Sequence, residues 1–478
     1  MRNTCTCYFR MLLASVLIAI FTPGAYAQYL LETGSPTFTT AEAVPMGYVN
    51  VANGNLHIEI PIAGYSQRGG QAFVAKMVYD SRIWKIVDTG GSLSWQPTNV
   101  PDYNLFANSP TYPAGWRLLF TEGTTVAYDQ IANTCYSGGN PYPWYQWQNY
   151  RFYDVDGTVR RFPLYYENSN VCHTGGTATS SGPSLDATGH RASWTNAPFV
   201  DSVLTPNGTN IYAAKDPNGN YLTKDGNGTV TDTLNRVVWQ KTLDQYYFNG
   251  HEIDYTVPTS QGTSTYKLWF GYGGLQVNTN FGVPGVTEYS GFLSASALVW
   301  IELPNGSRYQ FTYENTGTYY YGLLKSMTLP SGAVVNFTHT NVTDVQNNTN
   351  RWLDTVTANG GTTTYTKEFC SPNCNKVRVT RPSGDETVYN FTLNTAGAWN
   401  TETKSYTGTA ATGTLMLTAA RTYDTSLINP VTGGIGFVRP SSATTTIPGP
   451  AGNLVSKSEA TFDTFTYSYR GTNYTGSR

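Results

Sequence analysis

Three times in its second half the chain repeats one short pattern. Leu303-Pro304-Asn305-Gly306 runs into Tyr309-Gln310-Phe311-Thr312-Tyr313, Leu329-Pro330-Ser331-Gly332 into Val335-Asn336-Phe337-Thr338-His339, and Arg381-Pro382-Ser383-Gly384 into Tyr389-Asn390-Phe391-Thr392-Leu393. A weaker copy, Thr357-Ala358-Asn359-Gly360, precedes Thr364-Tyr365. The glycines fall at 306, 332, 360 and 384, spacings of 26, 28 and 24 residues. Each unit is a turn followed by a strand with Thr or Asn outward and aromatics inward. Such a unit cannot bury its apolar face alone, so neighbouring copies must pair or stack in sequence.

The rest of the chain agrees. Asn55-Leu56-His57-Ile58-Glu59-Ile60 alternates polar and apolar residues, as a strand with one buried face does, whereas 72–79 is a more continuous apolar run, as for a strand buried on both faces. Asn-Gly and Asp-Gly pairs at 53, 156, 207, 218, 225, 227, 305 and 359 supply turns that tolerate positive φ. No 3.6-residue periodicity stands out after the N-terminus. The expected fold class is all-β: repeated antiparallel hairpins forming a large sheet, partial shell or sandwich-like body.

Composition narrows the function. Charged residues make up 13% of the 478, about half the usual 25%, while 36 Tyr help bring aromatics to 14%. Disorder needs the reverse balance, and nucleic-acid binding shows a basic excess that is missing here. No nucleic-acid partner is expected.

Residues 1–27 read as a secretory signal peptide. Arg2 and Arg10 give the positive start, 11–21 the apolar core and Ala25-Tyr26-Ala27 the cleavage site. The apolar run is shorter than the roughly 20 residues a membrane span needs, and no second long apolar segment follows. The expected location is therefore secreted or cell-surface, with no transmembrane segment after cleavage. Cleavage leaves 27 basic against 31 acidic residues, and four cysteines: Cys135, Cys172, Cys370 and Cys374. In an oxidising compartment these suggest two disulfides, with three possible connectivities. Cys370–Cys374 across the Pro-Asn turn and Cys135–Cys172 across a loop-rich stretch is the expected pairing. Zinc at the Cys-Ser-Pro-Asn-Cys pair, with His173 beside Cys172, is the alternative.

Small-residue stretches at 174–183, 405–414 and 440–452 suggest loops or linkers. The resulting division is a β domain at 28–200, a repeat region at 201–400 and a looser β segment at 401–478.

Several segments are familiar as a set. Gly47-Tyr48-Val49-Asn50-Val51-Ala52-Asn53-Gly54-Asn55-Leu56-His57-Ile58-Glu59-Ile60-Pro61 resembles the opening of bacterial secreted Rhs/YD-repeat proteins. Arg68-Gly69-Gly70, Tyr79-Asp80-Ser81-Arg82-Ile83-Trp84, and the stretches 216–221 and 232–237 continue the likeness across most of 44–400. The resemblance implies β-repeats wound into a large hollow shell, often enclosing a C-terminal toxin, with roles in surface contact or carbohydrate binding. Asn235-Arg236 stands where that family usually has Gly-Arg, Tyr-Asp pairs are few, and the C-terminal core signature and toxin module are not found. The likeness is therefore to the N-terminal region, as a truncated relative or a fragment of a polymorphic toxin carrier. A downstream or partner Rhs-type chain is the implied protein partner.

Signatures of catalysis are weak. Gly64-Tyr65-Ser66 begins a nucleophile elbow, but Arg68 occupies the second glycine's place. His57, His173, His190, His251 and His339 lack ligand spacing, and no phosphate-binding Gly-rich loop occurs. A glycosidase needs two carboxylates flanking one bond, and the sequence alone selects no pair. A non-enzymatic role is expected, with a secreted polysaccharide-active enzyme as the less favoured alternative, and no cofactor or metal is expected. Asp154-Val155-Asp156-Gly157 and 216–232 place oxygen ligands on turns, as calcium would require; the plainer reading is Asp and Asn capping their own turns. The best binding hint is Tyr142, Trp144, Tyr145 and Trp147, read as a loop of rigid amphipathic rings suited to stacking on a glycan or cell-surface polymer. Tyr319-Tyr320-Tyr321 is a second cluster. The alternative for both is a strand face packed on its core.

Overall fold

A computed structural model describes residues 32–34, 41–66, 72–89, 91–97 and 115–121, and from 125 to 477 all but short stretches. The expected signal peptide, residues 1–27, lies outside the described residues. The fold is all-β, with no helix among the described residues. Every pairing between the described strands is antiparallel except that of Val286–Thr287 with Ser92–Pro97.

A single sheet of 17 strands runs from Leu222–Lys224 to Leu454–Glu459. Each strand lies beside the next in the chain, and only the short Val286–Thr287 leaves the series. The repeated turns make this possible. The Leu303 amide donates to Ser307 O at 2.9 Å and the Gly306 amide to Leu303 O at 2.8 Å, with Gly306 at φ 81°. The same two bonds close the turns at Leu329 and Arg381. They also recur at Asp154, Asp225, Asp232 and Asp344, which the repeat pattern does not mark. At 232–236 Asn235 takes the left-handed place at φ 60°, so the departure from Gly-Arg keeps the turn. The weaker copy differs: Asn359 and Gly360, at φ 52° and 77°, form a two-residue hairpin turn.

All three expected linkers contain strand, the first only at its end, in Ser181–Pro183. Ser405 to Thr407 ends the strand Gly397–Thr407, and Pro440 lies within Ile435–Ile447. Their Thr-rich composition suits a pleated surface, leaving turns only near 408–413 and 448–453.

A second sheet orders Ala41–Val44, Gly47–Asn50, Asn55–Ser66, Ala72–Asp80 and Trp116–Phe120 side by side. It packs on the long sheet through one shared core. Trp239 stacks on Tyr255 and meets Phe73 and Phe120, Trp116 meets Phe311, and Trp352 lies against Gly54. Polar contacts follow the same line: Tyr79 Oη accepts from the Leu324 amide at 2.9 Å, Asn375 Nδ2 donates to Ala52 O at 3.1 Å, and Arg381 Nη2 contacts both Glu42 oxygens at 2.7 and 2.9 Å.

Residues 125–212 build smaller sheets around their own core of Tyr150, Phe152, Phe162, Leu164, Ala192, Val200 and Val203.

Candidate glycan-contact site

The aromatic segment is a strand, not the loop expected. Asn140–Tyr153 pairs with Thr125–Ser137 through a turn in which Gly138 and Gly139 take φ 58° and 81°. A strand alternates its side chains between faces, so Tyr142 and Trp144 share one face while Tyr145 and Trp147 share the other. The structure thus divides the four expected rings into two pairs.

On the first face the Trp144 indole stacks on His173, with centroids 3.7 Å apart and planes 12° from parallel. The segment carrying His173 is laid along the strand. Asn168 Oδ1 accepts from the Tyr145 amide at 2.6 Å, and Asn170 Nδ2 donates to Pro143 O at 2.8 Å. The Cys135–Cys172 disulfide, Cα atoms 5.9 Å apart, fastens it, as expected. His173 Nε2 lies 3.3 Å from Glu167, whose carboxylate also accepts from Tyr165 Oη. Cys370 and Cys374, the other expected pair, stand opposite each other in register between the strands Gly361–Cys370 and Cys374–Thr380, but their side chains lie outside the described residues.

The second face carries a continuous row of half-buried rings. Tyr145 and Trp147 centroids are 5.9 Å apart, Trp147 and Tyr166 5.2 Å, and Tyr166 and Trp194 5.8 Å. Trp147 and Trp194 rest on the core below, which fixes their planes. Tyr166 and Trp194 escape a sequence reading because they join the row only through pairing: Tyr166 lies opposite Trp147 in register. The one local signal was Tyr166's place inside the loop closed by Cys135 and Cys172. The Tyr319-Tyr320-Tyr321 cluster divides too, with Tyr321 packed against Phe281 and Tyr319 exposed.

The segments that carry the family resemblance meet in a buried ionic cluster. Asp80, in the strand Ala72–Asp80, is approached by His57 Nδ1 at 2.9 Å, Asn55 Nδ2 at 2.7 Å and the Gly34 amide at 3.2 Å, and by Arg117 Nη2. His57 Nε2 reaches Glu59 at 3.0 Å, and Lys76 caps Glu59 at 2.8 Å. Burial opposes the charge on Asp80, but His57 and Arg117 outweigh it and hold its carboxyl below the usual range. The polar side of the alternating strand 55–60 therefore faces this cluster, not water. With His57 and Asn55 at 0% exposure, the cluster is a clasp and offers a ligand no entry.

The turn carboxylates are similarly engaged. Asp225 Oδ1 accepts from the Asn227 and Thr229 amides, Asp232 Oδ1 from those of Leu234 and Arg236, and Asp156 Oδ1 from that of Thr158. Among the described residues no group of three His, Cys, Asp or Glu side chains is placed to hold a metal.

No protein-family model matches the chain, and no curated protein matches it. Among the described residues no helix is long and apolar enough to cross a membrane. The fold and this surface define a β-repeat protein with a rigid, disulfide-fastened aromatic face.

Proposed function

We propose that this chain is an exported, non-enzymatic β-repeat protein of the Rhs/YD type that contacts carbohydrate at cell surfaces. The observation that carries the reading is the row Tyr145–Trp147–Tyr166–Trp194, four half-buried rings of which the first two lie on a braced hairpin and the others on segments packed beside it. Rigid amphipathic rings give a sugar's C–H face a stacking surface at little conformational cost. The Cys135–Cys172 bond favours an oxidising compartment. Glu167, beside Tyr166 in the chain, is engaged with Tyr165 and His173, which favours a binding role over the paired-carboxylate chemistry of a glycosidase.

The test is affinity electrophoresis and Trp-fluorescence titration against soluble glucans, mannans, peptidoglycan fragments and capsular polysaccharides. Trp147→Ala is expected to weaken binding about tenfold, the equivalent of one ring contact. Trp144→Ala, on the opposite face, is expected to bind as wild type does. Unchanged binding by folded Trp147→Ala and Tyr166→Ala variants would refute the assignment.

A further inference from the structure

We propose that the outer face of the long sheet carries a second saccharide-binding surface, which takes an uncharged glycan laid across the strands. This surface is separate from the hairpin row and does not depend on it.

The strand Gly262–Asn278 buries Leu268 and Phe270 in the shared core, so Trp269 between them faces outward. Directly opposite in register stands Trp300 of the strand Ser290–Glu302. The two indoles are 5.8 Å apart and only 6° from parallel. On the other side Trp269 lies across Gly250, where a Cβ would meet its Cζ2 at 2.5 Å. Only glycine admits the ring there. Tyr247, opposite Gly250 in register and 43% exposed, extends the row at 5.7 Å from Trp269. Arg308 stacks on Trp300 at 4.1 Å and is held by Glu302 at 2.7 Å, which fixes that end of the platform.

The flanks select the ligand. Along the aromatic row, Glu252 lies opposite Trp269 and Gln310 opposite Trp300. A carboxylate and an amide at the ends of a stacking platform suit sugar hydroxyls, since the rings take C–H faces and the polar groups take O–H groups. The adjacent cross-strand row is Asp254, Lys267, Glu302 and Arg308, alternating in sign. Counting Glu252, three acids face two bases, so the patch has no excess positive charge to draw a polyanion. An uncharged polysaccharide is the complementary occupant.

The test places Trp269→Ala, Trp269→Tyr and Gln310→Ala in the full chain, each alone and combined with Trp147→Ala. Binding is read by affinity electrophoresis against neutral glucans and mannans and against alginate and heparin, with far-UV circular dichroism as the folding control. Expected is residual neutral-glycan binding by Trp147→Ala that Trp269→Ala weakens a further tenfold, that Gln310→Ala weakens several-fold and that Trp269→Tyr largely keeps. Unchanged neutral-glycan binding in Trp147→Ala/Gln310→Ala, together with a folded Trp147→Ala/Trp269→Ala that binds as Trp147→Ala does, overturns the proposal. So does a preference for alginate or heparin, or a dimer by sedimentation velocity that Trp269→Ala dissociates. If Trp269→Ala abolishes binding alone while Trp147→Ala is silent, this surface stands and the hairpin assignment falls.

Discussion

His57 Nδ1 lies 2.9 Å from the carboxylate of Asp80, 23 residues further along the chain and almost fully buried. Burial by itself would lower the imidazole's pKa, but the charges and hydrogen bonds of Asp80 and Glu59 override it and raise the value to about 9. The unfolded value is about 6.5, so the folded chain holds the proton more tightly. The stabilisation is complete below pH about 6.5 and is lost as pH rises through about 9. His57→Gln is therefore expected to be less stable than wild type at pH 6, by on the order of 3 kcal/mol, with the deficit narrowing towards pH 9.5. Denaturant melts across that range measure it, and a deficit independent of pH would sink the assignment.

Lys367 acts in the opposite sense. Burial lowers its ammonium to about 7 against the counter-charge of Asp354, with Arg82 adding to the lowering. Because the unfolded lysine titrates near 10.4, the unfolded chain binds more protons between about pH 7 and 10, and stability rises with pH there. Lys367→Met keeps a stem beside Trp352 and Tyr365 while removing the buried charge. It is expected to gain on the order of 2 kcal/mol at pH 6.5, after the unpaired Leu353 and Tyr365 carbonyls are counted, and to lose on the order of 2 kcal/mol at pH 10, where the charge penalty has nearly gone and the lost carbonyl contacts remain. Thermal melts at both pH values decide; a variant less stable than wild type at pH 6.5 contradicts this account. Between pH 7 and 9 the His57 and Lys367 slopes oppose each other, so each single variant should show a pH dependence that wild type masks.

Gly54 and Gly332 separate two roles of glycine. Both have positive φ, 71° and 86°, but a Cβ on Gly54 would meet Trp352 at 2.6 Å whereas one on Gly332 enters open space. Gly332→Ala should cost about 1–2 kcal/mol for the backbone alone, and Gly54→Ala about 3 kcal/mol or more once overpacking is added. Urea denaturation of both variants tests this, and equal costs would show that Trp352 yields freely.

The Cys135–Cys172 bond closes a segment of 37 residues. Its removal in Cys135→Ser/Cys172→Ser is expected to cost about 3 kcal/mol and to release His173 from the Trp144 face. Melting curves give the first quantity and the emission maximum of Trp144 the second. Unchanged values for both would mean that Asn168 and Asn170 hold the segment without the bond.

What the sequence made legible was local chemistry. The Pro-Asn/Ser-Gly turns and alternating strands following them predict hairpins in series, and the long sheet is built so. Asp225 and Asp232 cap their own turns for the same short-range reason. The four rings at 142–147 were legible as a cluster, but prolines and glycines nearby suggested a loop, and the period-2 division into two faces went unread. What stayed hidden depends on register. Trp269 and Trp300 are 31 residues apart and become neighbours only because their strands pair with that offset. Leu268 and Phe270 on either side of Trp269 were the available hint that this indole points away from the core. The Asn55, His57 and Asp80 contacts likewise join segments whose likeness to a family was visible while their partnership was not.

The docking of the first sheet on the long one also sets an order of events during synthesis. Phe73 and Trp116 leave the ribosome well before their partners Trp239 and Phe311, and Glu42 waits 339 residues for Arg381. The later hairpins can close one after another, since each needs only its predecessor. The N-terminal sheet cannot finish until almost 400 residues have emerged, and until then its apolar face stays open to the wrong neighbours. In a chain built this way, the residues made first are the last to become native.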